Sequence, residues 1–428
     1  MLKLHKIVRL LLVLFSVLQM SCKDDPPVIP PIDPPIYTQN IFLSVADSSL
    51  TEIQLNLSIS DSLSPRGFSI YRNNAQILSG SLFGRETVLV DTAVQFNTSY
   101  VYTAFRTENS IKRDSSKSVM ITTLDTTSHN YTFTFDTLGD GASSSLYDVA
   151  IINDTLAFAV GEIFLKDSTG NIDSRRYNIG IWNGKTWKIL RLFHTGSPPV
   201  IRSICAINET DVWLDPWIHW DGITFQAIPV DPIFIGVGIN KMWGNSDVMY
   251  AVGYNGFIAR KTTSGWQKIE SGTDVNINDV WGDRTGSNVI AAATNIFSSG
   301  ERKLLRINST TTEALNWSPQ QRLHSIWFTT MTKLFTSGGG VYVFSKGTWK
   351  EIPLPALYTK RIRGTQENNI WTVGDFGIGA HFNGVSWKVF SEIALPDGLY
   401  AGLAVTSKMM LAVGQVGNRA VIVTAKAN

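Results

Sequence analysis

The 428-residue chain is short of charge and nearly without cysteine. Asp, Glu, Lys and Arg make up 17% of it, below the quarter usual in globular domains. The net charge is only +2, and no basic cluster is dense enough to track a phosphate backbone, so no nucleic-acid partner is expected. Two cysteines, Cys22 and Cys205, exclude a disulfide framework. Cys205 lies in the apolar run 201–207 and reads as a buried, inert thiol. Long hydrophobic runs are missing too. The run 10–18 is too short to cross a hydrocarbon core of about 30 Å.

The motifs of common catalytic sites are also missing. There is no G-x-S-x-G, no P-loop, no dinucleotide-binding glycine pattern and no calcium loop. Gly338 to Gly340 sit between strand-like runs and read as a turn. Beyond the N-terminal segment the histidines are His129, His194, His219, His324 and His381, and none has the spacing of a metal pair. His381 reads as a surface strand residue beside a turn, whereas His324 opens an inner strand and could face a central channel. Glu162, Asp167 and Asp173 fall in one long insertion and read as a solvated loop. No metal, no cofactor and no enzymatic activity are therefore expected.

What is present begins at the N-terminus. Lys3, Lys6 and Arg9 precede the short apolar run, the pattern of a secretory signal. Met20-Ser21-Cys22 resembles the bacterial lipobox, although Gln19 stands where that motif prefers Leu. The resemblance implies that 1–22 is a lipoprotein signal peptide and that Cys22 carries the lipid. Lys23-Asp24-Asp25 resembles the acidic export signal of Bacteroidetes-type surface lipoproteins. It implies an outer-membrane protein facing the cell exterior. Residues 23–36 hold six prolines and read as an extended linker.

Residues 37–125 show strand-like runs separated by turn signals and no helical period. The run Ile53 to Ile59 alternates as a half-buried strand does, and Asn73-Asn74 marks a turn. Seven short strands in this length predict a β-sandwich. The run from Phe96 to Tyr102 resembles the corner of fibronectin type III domains, with Tyr100 in the place of the corner tyrosine, though the usual second-strand Trp is missing. A spacer role is expected of this domain.

Residues 130–428 carry an internal repeat. One copy reads Ile239-Asn240-Lys241-Met242-Trp243-Gly244, then Tyr250-Ala251-Val252-Gly253, then Ser264-Gly265-Trp266. Other first strands open at Tyr147-Asp148-Val149, Arg202-Ser203-Ile204, His324-Ser325-Ile326 and Arg361-Ile362. Aromatics recur after the last turn at Trp187, Phe225, Trp266, Trp317, Trp349 and Trp387. Each unit supplies four short strands and cannot bury both faces alone, so the units must stack radially. The last unit lacks a fourth strand, and the unpaired run Tyr131 to Phe135 is available to supply it. The expected fold is all-β: a seven-bladed β-propeller preceded by a fibronectin type III-like β-sandwich. The degenerate stretch 276–322 is the weakest of the units. The repeat resembles Asp-box (BNR-like) and photosystem-assembly-factor-like propellers. The arginine triad and tyrosine nucleophile of sialidases do not carry over, so fold resemblance implies no activity.

Propellers bind at the face bearing the second-to-third turns and the loops between blades. The chain path puts Arg175, Arg176, Tyr177, Trp217, Tyr254, Tyr358, Arg361, Phe376 and Tyr400 there. Aromatic faces and Arg donors suit recognition of a protein or a glycan. The expected function is a non-catalytic, surface-displayed binding or scaffold lipoprotein, monomeric, held to the membrane by its lipid. Two alternatives stand beside it. One is a glycan-active enzyme, with Asp148, Asp279 and Asp375 as the carboxylates to inspect. The other is an assembly factor for a membrane complex.

Overall fold

A computed structural model describes residues 40–60, 66–141, 143–295 and 300–428. The signal segment, Cys22 and the Pro-rich stretch lie outside the described residues. Among those described, no helix is long and apolar enough to cross a membrane. The described residues are all-β, with three single-turn 3₁₀ segments. Two compact units are formed. One takes in Asn56–Thr87 and Val101–Val119, the other Val45–Leu55, Val88–Tyr100 and Met120–Asn428.

The described residues from 40 to 125 build two sheets. Strands Ile41–Ser48, Ile53–Ile59 and Glu86–Asp91 form the smaller. In the larger the order is Ala75–Leu82, Arg66–Arg72, Ser99–Glu108, Ile111–Ser115, and Val119–Thr122 also pairs with Ser99–Glu108. Among the described residues, eight strands stand where seven are expected. The alternating run buries Ile53, Leu55, Leu57 and Ile59, as a strand with one covered face requires. Asn73 and Asn74 both have positive φ, 49° and 67°. That is the tight hairpin turn whose twist matches its strands. The Tyr100 hydroxyl accepts a 2.8 Å hydrogen bond from the Gln95 backbone N–H.

Residues 131–428 form seven four-stranded antiparallel sheets among the described residues. In six of them the strands follow chain order. In the seventh, Gly398–Val405, Met409–Val416 and Arg419–Ala427 are completed by Tyr131–Leu138. This last pairing runs from Ala420 opposite Leu138 to Ala427 opposite Tyr131. The first strands are Ser145–Asn153, Ile204–Asn208, Ile239–Gly244, Ile277–Gly282, Leu323–Thr330, Thr359–Gln366 and Gly398–Val405. Each packs against the next, and the seventh packs against the first. The sheets thus close into a ring of the propeller kind. Closure leaves no long exposed sheet edge and buries the apolar faces between neighbouring sheets.

Those faces are filled as the repeat predicts. Phe225 of the second sheet meets Phe158 of the first, ring centroids 5.5 Å apart. Trp349 of the fifth meets Trp317 of the fourth at 4.8 Å. Trp187, Phe225, Trp266, Trp349 and Trp387 each stand on a fourth strand. In the fourth sheet the aromatic is displaced: its fourth strand is Thr312–Leu315, and Trp317 follows it, buried. That shift explains why the repeat is faint there.

Candidate functional site

The site is built by one recurring irregularity. In six of the seven sheets the first strand carries one extra residue where it starts to pair with the second. In the third sheet Ile239 faces Gly253 and Lys241 faces Val252, so Asn240 is left over. The residues left over elsewhere are Tyr147, Asn278, His324, Lys360 and Ala401. Such a bulge bends the strand and re-aims the extra side chain. In the second sheet Arg202 lies just before the first strand.

The bulge demands room opposite. A Cβ on Gly253 would stand 2.0 Å from the Gly238 carbonyl oxygen, so only glycine lets the backbones approach this closely. Gly161, Gly338, Gly374 and Gly414 meet the same obstruction in their own sheets. The recurring glycine that ends the second strand is therefore part of the site's construction. The fourth sheet departs, with Ala293 opposite Ile277.

All seven of these residues line one cavity of about 520 Å³, at the end of the ring bearing the second-to-third strand connections. Tyr254, Asn276, Asn295 and Arg361 complete its wall. Among the described residues the lining holds three cations, four amides, two tyrosines and a histidine, and no carboxylate. Arg202 lies over the Tyr147 ring, 4.9 Å from its centroid. The Tyr147 hydroxyl donates to Glu162 at 2.6 Å, and burial pushes its pKa up to about 12. His324 shares a 3.2 Å hydrogen bond with the Tyr358 hydroxyl. Burial, with Arg361 and Lys360 nearby, holds the imidazole down at about 3, so it is neutral at physiological pH.

The residue after each bulge resumes the pairing with the second strand. These are Asp148, Lys241, Asp279, Ser325, Arg361 and Gly402. They interlock. Asp279 accepts from Ser325 Oγ and from the Ile326 N–H (3.1 Å), one sheet on. Two sheets on, it accepts both Arg363 Nη1 at 2.9 Å and Arg363 Nη2 at 2.7 Å. Arg361 Nη1 lies 3.2 Å from the same carboxylate. Asp148 repeats the pattern: it accepts from Ser203 Oγ, from the Ile204 N–H at 2.9 Å, and from the buried ammonium of Lys241. The two serines pass the chain on, accepting from the Met242 and Ile362 N–H groups. Lys241 and Arg363 line a second cavity of about 260 Å³ with Trp243 and Trp281. An ion-paired layer thus separates the two cavities.

This layer corrects the carboxylates proposed for glycoside cleavage. Asp148 and Asp279 are buried, 1% and 0% exposed, and both are ion-paired. The neighbouring guanidiniums and the bonds from Arg363 and Ser325 overcome the effect of burial and hold the Asp279 carboxyl well below its ordinary range. Asp279 therefore cannot serve as a proton donor near neutrality. Asp375 is 3.5 Å from Lys360 Nζ.

The ring gathers two of the nine expected contact residues, Tyr254 and Arg361, into the cavity. Tyr358 touches it through His324 and also lines a separate cavity of about 310 Å³. Tyr400 is corrected outright: it is fully buried and its hydroxyl donates to the Ile393 carbonyl at 2.9 Å. Trp217 packs into the apolar layers on both sides of the second sheet. Phe376 is exposed at a turn with φ of 56°. Arg175, Arg176 and Tyr177 belong to the insertion of the first sheet. There Arg191 stacks on Tyr177, 3.8 Å from the ring centroid, and pairs with Asp173, while Arg176 Nε is 3.8 Å from Glu162. Of the cavity residues that sequence reasoning missed, Tyr147, Asn240, Asn278, Lys360 and Ala401 share one signal, each standing two places before an apolar residue of its first strand, and His324, read as able to face a central channel, stands in the same place.

The other expectations fall as follows. Cys205 is buried and burial raises its thiol to about 12. His381 is fully buried, stacked on Trp371 and bonded to His129, Nδ1 to Nδ1 at 3.0 Å. The expected surface position is thereby corrected, because the segment before Tyr131 packs over it. Among the described residues no group of three or more His, Cys, Asp or Glu side chains is placed to hold a metal ion.

No family model matches the chain, and no curated protein matches it. Among solved structures, the WD40 β-propeller domain of Doa1 is similar at 11% identity, covering 68% of this chain and 96% of that one, with a TM-score of 0.48.

Proposed function

We propose that this chain is a lipid-anchored, surface-displayed recognition protein, whose ligand, a protein or a glycan, enters the cavity at the end of the ring. One observation carries the reading: every sheet contributes its own side chain to a single polar cavity, six of them through a bulge. Bulges conserve little stability and are devices for aiming side chains. Amide, guanidinium, ammonium and tyrosine groups converging on a preformed concavity are the chemistry of ligand recognition. The ring is read as a seven-bladed propeller closed by Tyr131–Leu138, and residues 37–125 as a fibronectin type III-type spacer. The strand order of the two small sheets and the Tyr100–Gln95 bond support the second assignment. Cys22 is the proposed lipid site, and 23–36 the stalk between lipid and folded chain.

The test uses the full chain expressed with its own signal. Metabolic labelling with a fatty-acid analogue should mark the wild type and leave Cys22→Ser unlabelled; equal labelling would remove the anchor. A glycan array and a pull-down from the parent surface should then return a ligand without turnover. Cleavage of a bound glycan would overturn the non-catalytic part of the reading.

A further inference from the structure

We propose that the cavity takes an acidic sugar residue, one bearing a carboxylate or a sulfate. The inference rests on the recognition reading above and narrows its ligand class. Its starting point is charge. Arg202, Lys360 and Arg361 line the cavity and, among the described residues, no Asp or Glu does. The carboxylates nearby are already engaged: Asp279 is shared by Arg361 and Arg363, Asp148 holds Lys241, and Asp375 lies beside Lys360. The layer beneath the cavity therefore sets three cations against two carboxylates, and Arg202 adds another at the rim.

A second observation is independent of that balance. Arg361 is 5% exposed, and its Nε has no hydrogen-bond partner. Its Nη1 is engaged, lying 3.2 Å from the Asp279 carboxylate and 3.4 Å from Asn278 O, so the unused donor is Nε. A buried guanidinium with an unused donor is costly unless something accepts from it. Because Arg361 belongs to the cavity wall, an anionic oxygen entering there can be the acceptor. Guanidinium recognises carboxylate and sulfate oxygens with paired, directional bonds.

The neutral part of the wall favours a sugar as carrier of that anion. Asn240, Asn276, Asn278 and Asn295 offer amides that can both donate and accept, which suits ring hydroxyls. Tyr147 and Tyr254 supply aromatic faces. Among the described residues Ala401 is the sole aliphatic side chain in the wall, so an apolar peptide side chain would find little there to bury against. His324, neutral and bonded to Tyr358, adds a polar group without charge.

The experiment is titration calorimetry of the full chain with four probes: an oligogalacturonate, a sulfated oligosaccharide, a neutral oligosaccharide of the same length, and an acidic peptide. One acidic sugar should bind at least about tenfold more tightly than the neutral one, the difference one charge-assisted contact makes. Its affinity should fall as sodium chloride is raised from 0.05 to about 0.5 M, because salt screens the attraction. Which acidic probe binds separates carboxylate from sulfate. Lys360→Gln and Arg202→Gln, both on the accessible rim, should each cost about tenfold while leaving the melting temperature in place. Arg361→Lys, a second kind of variant, should weaken the acidic probe most, since ammonium cannot form the paired bonds. Neutral and acidic sugars binding equally, with no salt dependence, would overturn this inference and leave the recognition reading standing. Preference for the acidic peptide would likewise overturn it. Absence of binding to every probe would overturn it, while a ligand returned by the array or pull-down would still uphold the broader reading.

Discussion

Asp279 shows what a single side chain does in the ring. It has 0% exposure and holds two guanidiniums and a hydroxyl from the next two sheets. Removing it as Asp279→Ala leaves Arg361 and Arg363 buried without their counter-charge. A loss of about 3–5 kcal/mol is expected, read by urea denaturation. Asp215 is a different buried carboxyl. It accepts from the Arg202 and Ser203 N–H groups at 3.1 and 3.0 Å, yet burial dominates and lifts it to about 7. The folded chain keeps a proton there that the unfolded chain releases near pH 4, so this group costs stability as pH rises from about 4 to about 7. Asp215→Asn should therefore gain on the wild type in melting temperature between pH 5 and pH 8. His324 and His381 act with the opposite sign. Both are held near 3, chiefly by burial. The unfolded chain takes up protons below about 6.5 that the folded chain refuses, so stability falls as pH drops from about 6.5 toward 3. Replacing His324 by Gln should flatten that acid limb; an unchanged limb would show the imidazole already charged in the fold.

At the scale of the element, the bulge and its opposing glycine form one device. Gly374 faces Thr359 across the ladder, beside the extra residue Lys360, and a Cβ there would lie 2.2 Å from the Tyr358 carbonyl. Gly374→Ala should lower the melting temperature, by an amount corresponding to roughly 1–3 kcal/mol of overpacking. It should also weaken ligand binding by moving Lys360. The fourth sheet, which accommodates Ala293, marks the lower end of that range. Much of this was legible. The glycines near the ends of the second strands in the first, third, sixth and seventh sheets (Gly161, Gly253, Gly374 and Gly414) and the openings of the first strands were visible as repeats. The left-over residue was not, because one unpaired position in a strand leaves hydrophobic spacing almost unchanged, and only the register reveals it. Tyr400 shows the reverse error. A tyrosine near a turn looked available, but the 3₁₀ segment Ser391–Ile393 folds over it and its hydroxyl is satisfied inside.

On the scale of the whole molecule, closure is the controlling event. Tyr131–Leu138 pairs along its full length with Arg419–Ala427, joining residues almost 300 apart in sequence. Tyr131 and Phe133 also pack against the core between the sixth and seventh sheets. Deleting 131–138 would open an eight-residue edge on the last strand and uncover that core. Loss of a single cooperative melt and gain of aggregation are expected by calorimetry and light scattering; an unchanged melt would mean the ring does not depend on this strand. By itself the sequence determined the all-β class, the four-strand unit and the strand that completes the last sheet, because turn chemistry, alternation and unit length are local properties. Only the tertiary structure decided which side chains meet at the axis, which carboxylates are spent in ion pairs, and that the wall of the cavity is cationic. Those are contacts between sheets far apart along the chain, and local pattern carries no record of how seven strands turn toward a common centre.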